Sequence, residues 1–67
     1  MLRLRRVLDA KGITMKGFAE ALGIAEKTLY NKIIEESEFT YSEAQRTKAI
    51  LPEYDIDYLL SSDPGRT

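Results

Sequence analysis

Glu26, Lys27, Tyr30 and Asn31 are the side chains of this sequence whose types and spacing point to chemistry. They recur at i, i+1, i+4 and i+5, which gathers four hydrogen-bonding groups on one side of a helix. Asn31 offers an amide donor and acceptor side by side, and Lys27 a cationic donor. Glu26 offers a carboxylate acceptor or, as an anion in a first turn, stabilises the helix through its dipole. Tyr30 offers a ring and a hydroxyl, the alternative being partial packing against the preceding helix.

Little else in the chain offers chemistry. Its 67 residues contain no histidine and no cysteine, so imidazole bases, thiolate nucleophiles, zinc fingers and disulfides are excluded. Glu35, Glu36 and Glu38 surround Ser37 in an acidic loop. They have no His, Cys or serine constellation beside them, and three glutamates in a loop lack the geometry a metal requires. The sequence is read as non-enzymatic, with no metal and no cofactor.

The recognition face has to be carried by Phe18 to Ile33, FAEALGIAEKTLYNKI. Phe18, Ala19 and Leu22 form one helical stripe, Leu29 and Ile33 repeat the i, i+4 spacing, and Gly23 breaks the two at a corner. Ile24 plugs that corner from below. With Leu29 and Ile33 inward, the face turned outward carries Glu26, Lys27, Tyr30, Asn31 and, at its far end, Ile34.

Around this pair the chain supplies three more short helices. Leu4, Val7 and Leu8 predict a first helix from about Leu2 to Lys11, closed by Gly12, after which Ile13 drops into the core. Thr14 suits an N-cap for a second helix over Met15 to Leu22, and Gly17 within it permits close approach of either the first helix or a phosphate. The third helix runs from Glu26 to about Ile34. Phe39 re-enters the core, and Thr40 with Glu43 makes a capping box that opens a fourth helix, Tyr41 to Leu51, with Ala44, Thr47, Ile50 and Leu51 inward. Pro52 stops it. Asp55 is read as the N-cap of a last helix, Ile56 to Leu60. No segment alternates long enough for a strand, so the expected fold is all-α: a compact bundle of five short helices over residues 1–60, with 61–67 as a flexible tail.

Charge is divided between the halves. Residues 1–32 hold seven basic and three acidic side chains, a net of +4, and residues 33–67 hold three basic and eight acidic, a net of −5. Such asymmetry fits a basic binding face with an acidic remainder, or clustering on solvated helix faces. Arg3, Arg5 and Arg6 alternate with Leu2, Leu4, Val7 and Leu8, an amphipathic helix unlike a secretion signal, so a cytoplasmic location is expected.

Ala19, Gly23, Ile24, the Thr28-Leu29 pair and Ile33 together resemble the helix-turn-helix of the Cro and phage-repressor family, whose lambda-repressor-like domain has five short helices in about this length. The KTLYNKI helix, the acidic loop and the EFT-x-x-E start are similar to small Cro-like regulators of phages and prophages of Gram-positive bacteria. This resemblance implies a sequence-specific, double-stranded DNA-binding transcriptional repressor whose third helix reads the major groove. It assigns base reading to Ala25, Glu26, Lys27, Tyr30, Asn31 and Ile34. That assignment implies a paired bond from Asn31 to adenine N6 and N7, donation from Lys27 to guanine O6 or N7, acceptance by Glu26 from cytosine N4 unless it serves the helix dipole, and contact of Tyr30 with a thymine methyl or a phosphate. Ala25 departs from the serine frequent there, losing a helix cap worth about 1 kcal/mol and one polar contact.

Thr14, Lys16, Thr28 and Lys32 are the candidates for phosphate contacts, though Lys32 has the alternative of snorkelling over Ile33 and Leu29. Arg3, Arg5 and Arg6 either add attraction or are a solvated face. Tyr41, Tyr54 and Tyr58 are read as core edge. A single recognition helix spans few base pairs, so a homodimer on an operator is expected, with the YDIDYLL segment as its interface or as the last core helix. The competing reading is a modulator or antirepressor that binds a partner repressor protein on the same fold. Reversing Lys27 and Lys32 to Glu would separate the two.

Overall fold

Three corners with a left-handed residue set the course of the first half of the chain. In the computed structural model, which describes residues 1–63, α1 (Arg3–Lys11) and α2 (Met15–Leu22) each end on a glycine, Gly12 at φ 72° and Gly23 at φ 77°. At both ends the glycine N–H and the following N–H turn back to the helix. Gly12 and Ile13 donate to the carbonyls of Asp9 and Leu8, and Gly23 and Ile24 donate to those of Glu20 and Ala19. This is the Schellman arrangement, and the isoleucine after each glycine is the apolar residue that packs back against the core.

The third corner follows α3 (Glu26–Ile33) and uses no glycine. Glu35 takes φ 70°, donating to Lys32, and Glu36 donates to Asn31. The Glu35 carboxylate accepts the Ser62 hydroxyl at 2.6 Å, a tether that helps hold a conformation an L-residue ordinarily avoids.

α4 (Tyr41–Ile50) begins with the full capping box. Thr40 Oγ1 accepts the Glu43 N–H at 3.2 Å, and Glu43 Oε1 accepts the Thr40 N–H at 2.9 Å. α5 (Ile56–Leu59) starts after Asp55, which sits at the N-cap position without a side-chain cap bond. Observed helix limits fall within one residue of those expected from sequence.

The core is one cluster. Leu4, Val7 and Leu8 of α1, Phe18, Ala19 and Leu22 of α2, and Leu29 and Ile33 of α3 are buried with Leu2, Leu51 and Leu59. α2 packs on α3 across the Gly23 corner, α1 packs on α5, and α4 on both α2 and α5. α4 contributes less apolar surface than its expected inner face: Thr47 is fully buried, its hydroxyl donating to Glu43 O, while Ala44 and Ile50 are half-buried. Polar links therefore help to seat it.

Residues 61–63 of the expected tail are tied to the start of the chain. Arg3 N–H donates to Ser61 O, Asp63 N–H donates to Met1 O, and Arg6 pairs with Asp63 at 2.8 Å. Leu2, bridged to Ser62, also donates its N–H to Ile33 O, so the start of the chain ties α3 to residues 61–63. The rest of the expected tail, residues 64–67, lies outside the described residues. Among the described residues there is no strand, and no helix is long and apolar enough to cross a membrane.

Candidate nucleic-acid interface

The first turns of α2 and α3 open onto the same side of the molecule, where Arg5, Met15, Glu26, Lys27 and Tyr30 line one shallow groove. α2 enters this region under a side-chain cap: Thr14 Oγ1 accepts the Gly17 N–H at 3.0 Å. A Cβ on Gly17 would lie 3.1 Å from that oxygen. The glycine therefore makes room for the capping hydroxyl, where the sequence suggested α1 or a phosphate. Because Thr14 accepts in the cap, its own O–H hydrogen remains free to donate outward.

α3 enters without such a cap. Ala25 has the extended N-cap conformation but no side-chain bond, so the opening N–H groups of α3 depend on solvent or a ligand. Ala25, Glu26, Lys27 and Thr28 are exposed, Tyr30 is 49 % exposed, and Asn31 and Ile34 are half-buried. Ile34 lies just past the helix, at its C-terminal cap. The expected base-reading positions thus reach the surface to differing degrees, Glu26, Lys27 and Tyr30 being the exposed ones among the larger side chains.

Lys16 and Lys27 share one property. Among the described residues they are the lysines whose ammonium groups make no hydrogen bond, ion pair or ring contact, since Lys11 pairs with Glu53, Lys32 with Glu43, and Lys48 donates to Pro52 O and Tyr54 O. Both stand in the first turns of their helices, one on α2 and one on α3.

Lys32 corrects the phosphate set. It is 7 % exposed, and its ammonium lies 3.0 Å from Glu43 Oε1, donates to Glu38 O at 2.9 Å and stands over the Phe39 ring at 5.9 Å. The snorkelling alternative fails as well, because the charged end is held inside the fold. Burial opposes ionisation of Glu43, but the Thr40 N–H and the Lys32 ammonium outweigh it and hold this carboxyl below the ordinary Glu value.

The charge asymmetry of the halves resolves largely into internal pairs. Arg6 pairs with Asp63, Lys11 with Glu53 and Lys32 with Glu43, each joining a cation of the first half to a carboxylate of the second. Arg5 pairs with Asp9 at 3.3 Å. Arg3 donates to Ser61 Oγ and stacks over Tyr58 at 5.1 Å. Of the three arginines on α1, Arg5 alone lines the groove beside α3.

Two features were not legible in the sequence. Arg46 of α4 donates to the last carbonyl region of α2, at Leu22 O and 2.8 Å, and buttresses the Gly23 corner. Tyr41, expected at the core edge, is 78 % exposed, its hydroxyl accepting from Gln45. Tyr54 and Tyr58 stack with centroids 6.3 Å apart, on the side of Lys11 and Arg3. In the YDIDYLL segment Leu59 is buried while Ile56 and Leu60 are half-buried. Comparison with known proteins finds no matching family model, no matching curated protein and no matching solved structure.

Proposed function

We propose that this chain is a sequence-specific, double-stranded DNA-binding regulator, a Cro-like repressor in which α2 and α3 act as a helix-turn-helix and α3 reads the major groove. One observation carries the reading: the two lysines left unpaired among the described residues, Lys16 and Lys27, stand at the openings of α2 and α3. In a helix-turn-helix those are the places where the backbone of the duplex and the base edges are met. Lys16, Thr14 and Thr28 take phosphates, and Lys27, Tyr30 and Asn31 face bases. Binding of two copies on a two-fold operator gives the site its length.

The test is fluorescence anisotropy of the purified protein on random and selected duplexes at two salt concentrations. Preference for selected sequence, with affinity falling as salt rises, supports the reading. Equal and weak binding to every duplex at low salt removes it.

A second reading has one observation in its favour: pairing of Arg6, Lys11 and Lys32 with carboxylates leaves little net positive surface. A protein-interaction module, binding another repressor, would need none. Lys16→Glu with Lys27→Glu separates the two, abolishing duplex binding under the first reading and leaving a protein partner bound under the second. Lys32 is unsuitable for this test, since a carboxylate there would face Glu43.

A further inference from the structure

We propose that the groove between α1, α2 and α3 is a thymine-reading subsite, a hollow that takes the 5-methyl group of a pyrimidine in the major groove. The inference rests on the duplex-binding reading and deepens it: it names the base, and it adds Met15 and Arg5, which lie outside the recognition helix.

Met15 and Tyr30 supply the apolar part of the groove, and Arg5, Glu26 and Lys27 its charged part. Met15 packs against the core, so its thioether is held rather than swinging in solvent. Tyr30 closes the other side. Its exposure is unlike that of the other exposed tyrosines. Tyr41 uses its hydroxyl with Gln45, and Tyr58 stacks on Tyr54 beneath Arg3. Tyr30 has no hydrogen bond and no ring contact among the described residues, yet half its surface faces water on an otherwise polar helix face. Packing beside Met15 accounts for the covered half of the ring and leaves the open half without a partner among the described residues.

Base chemistry accounts for it. In the major groove guanine, adenine and cytosine present donors and acceptors, and thymine adds the one apolar group, its C5 methyl. The Met15 thioether and the Tyr30 ring present an apolar surface that fits a methyl, while Glu26 and Lys27 beside them are left for polar edges.

The rim suits the same occupant by charge. Lys27 is unpaired and free to donate to a neighbouring base edge, and Arg5, oriented by Asp9 at 3.3 Å, borders the hollow from α1. Glu26 on the rim repels phosphate from the hollow and accepts an exocyclic amino group, which favours an amino-bearing base beside the thymine.

The experiment selects binders from a random duplex library with the full chain, then replaces each thymine of the selected site singly by deoxyuridine. Loss of the methyl at one position weakens binding about fourfold, the worth of one buried methyl group. Replacing that thymine by 5-methylcytosine keeps more affinity than replacing it by cytosine. Tyr30→Ala erases the difference between thymine and uracil, and Tyr30→Phe, which keeps the ring, preserves it.

Selection of a site in which no thymine is sensitive to deoxyuridine overturns the subsite and leaves duplex binding standing. So does a Tyr30→Ala protein, folded by circular dichroism, that still distinguishes thymine from uracil. If no sequence is enriched at all, duplex binding itself falls, and the subsite with it.

Discussion

The Lys32 ammonium lies 3.0 Å from Glu43 Oε1, and that same oxygen accepts the Thr40 N–H at 2.9 Å. One carboxylate thus closes the capping box of α4 and neutralises a buried cation of α3. Both side chains are close to nine-tenths buried, so the pair joins α3 to α4 where few waters reach either partner. Breaking it strands a charge inside the fold. Glu43→Ala removes the cap and the counterion together and should cost about 2 to 3 kcal/mol in urea unfolding. Lys27→Ala, at an exposed and unpaired lysine, should stay within about 0.5 kcal/mol of the parent.

Acid should act through the same carboxylate. Glu43 in the folded state ionises below its ordinary value of 4.5, so the folded protein binds its proton less readily than the unfolded chain does. The stability it contributes is present above pH 4.5 and is lost as pH falls through the lowered folded value. Urea midpoints measured from pH 6 down to about 3 should fall more steeply for the parent than for Glu43→Gln, which has nothing to titrate there. Equal slopes would show that Glu43 is not held in its charged form.

The uncapped start of α3 should be improvable. Ala25 already has the extended N-cap conformation, φ −71° and ψ 151°, so a serine there needs no change of backbone. Ala25→Ser should add about 0.5 to 1 kcal/mol, seen as a rise in Tm of several degrees for a domain of this size. Thr14→Ala should move stability the other way by about 1 kcal/mol, because the Gly17 N–H loses its acceptor.

Gly23 should resist replacement for a conformational reason. A Cβ there would meet only the end of the Arg46 side chain, at 3.4 Å, but the backbone sits at φ 77°. Gly23→Ala should therefore cost about 1 to 2 kcal/mol through strain, not collision. Arg46→Ala tests the neighbouring contact, since the Leu22 carbonyl then depends on water. Its effect should be below that of Gly23→Ala, as expected for one partly exposed hydrogen bond.

If α2 and α3 carry the duplex, Lys16→Ala should weaken binding evenly across sequences. The slope of log affinity against log salt should become shallower by about one. Anisotropy titrations on a selected and a scrambled duplex read both effects. An unchanged slope would remove Lys16 from the phosphate set.

What the sequence determined by itself is local. The stripes Leu4-Val7-Leu8, Phe18-Ala19-Leu22 and Leu29-Ile33 declare helices because helical period is a property of neighbouring residues. The Gly12 and Gly23 corners, the Thr14 cap and the Thr40-Glu43 box are equally local, each satisfied within a few residues. They were therefore legible, and so was the all-helical class.

What only the tertiary structure decided is which charges remain available. Lys16, Lys27 and Lys32 look alike in the chain, and half of it looks basic. In the fold Lys32 meets Glu43, Lys11 meets Glu53 and Arg6 meets Asp63, partners separated by 11, 42 and 57 positions. Glu35 accepts its left-handed φ with a hydrogen bond from Ser62, 27 residues away. Separation in sequence also hides the meeting of Arg5, Met15 and Tyr30 in one groove. Pairing energy depends on separation in space and on exclusion of water, and neither is written in the order of residues until the helices have packed.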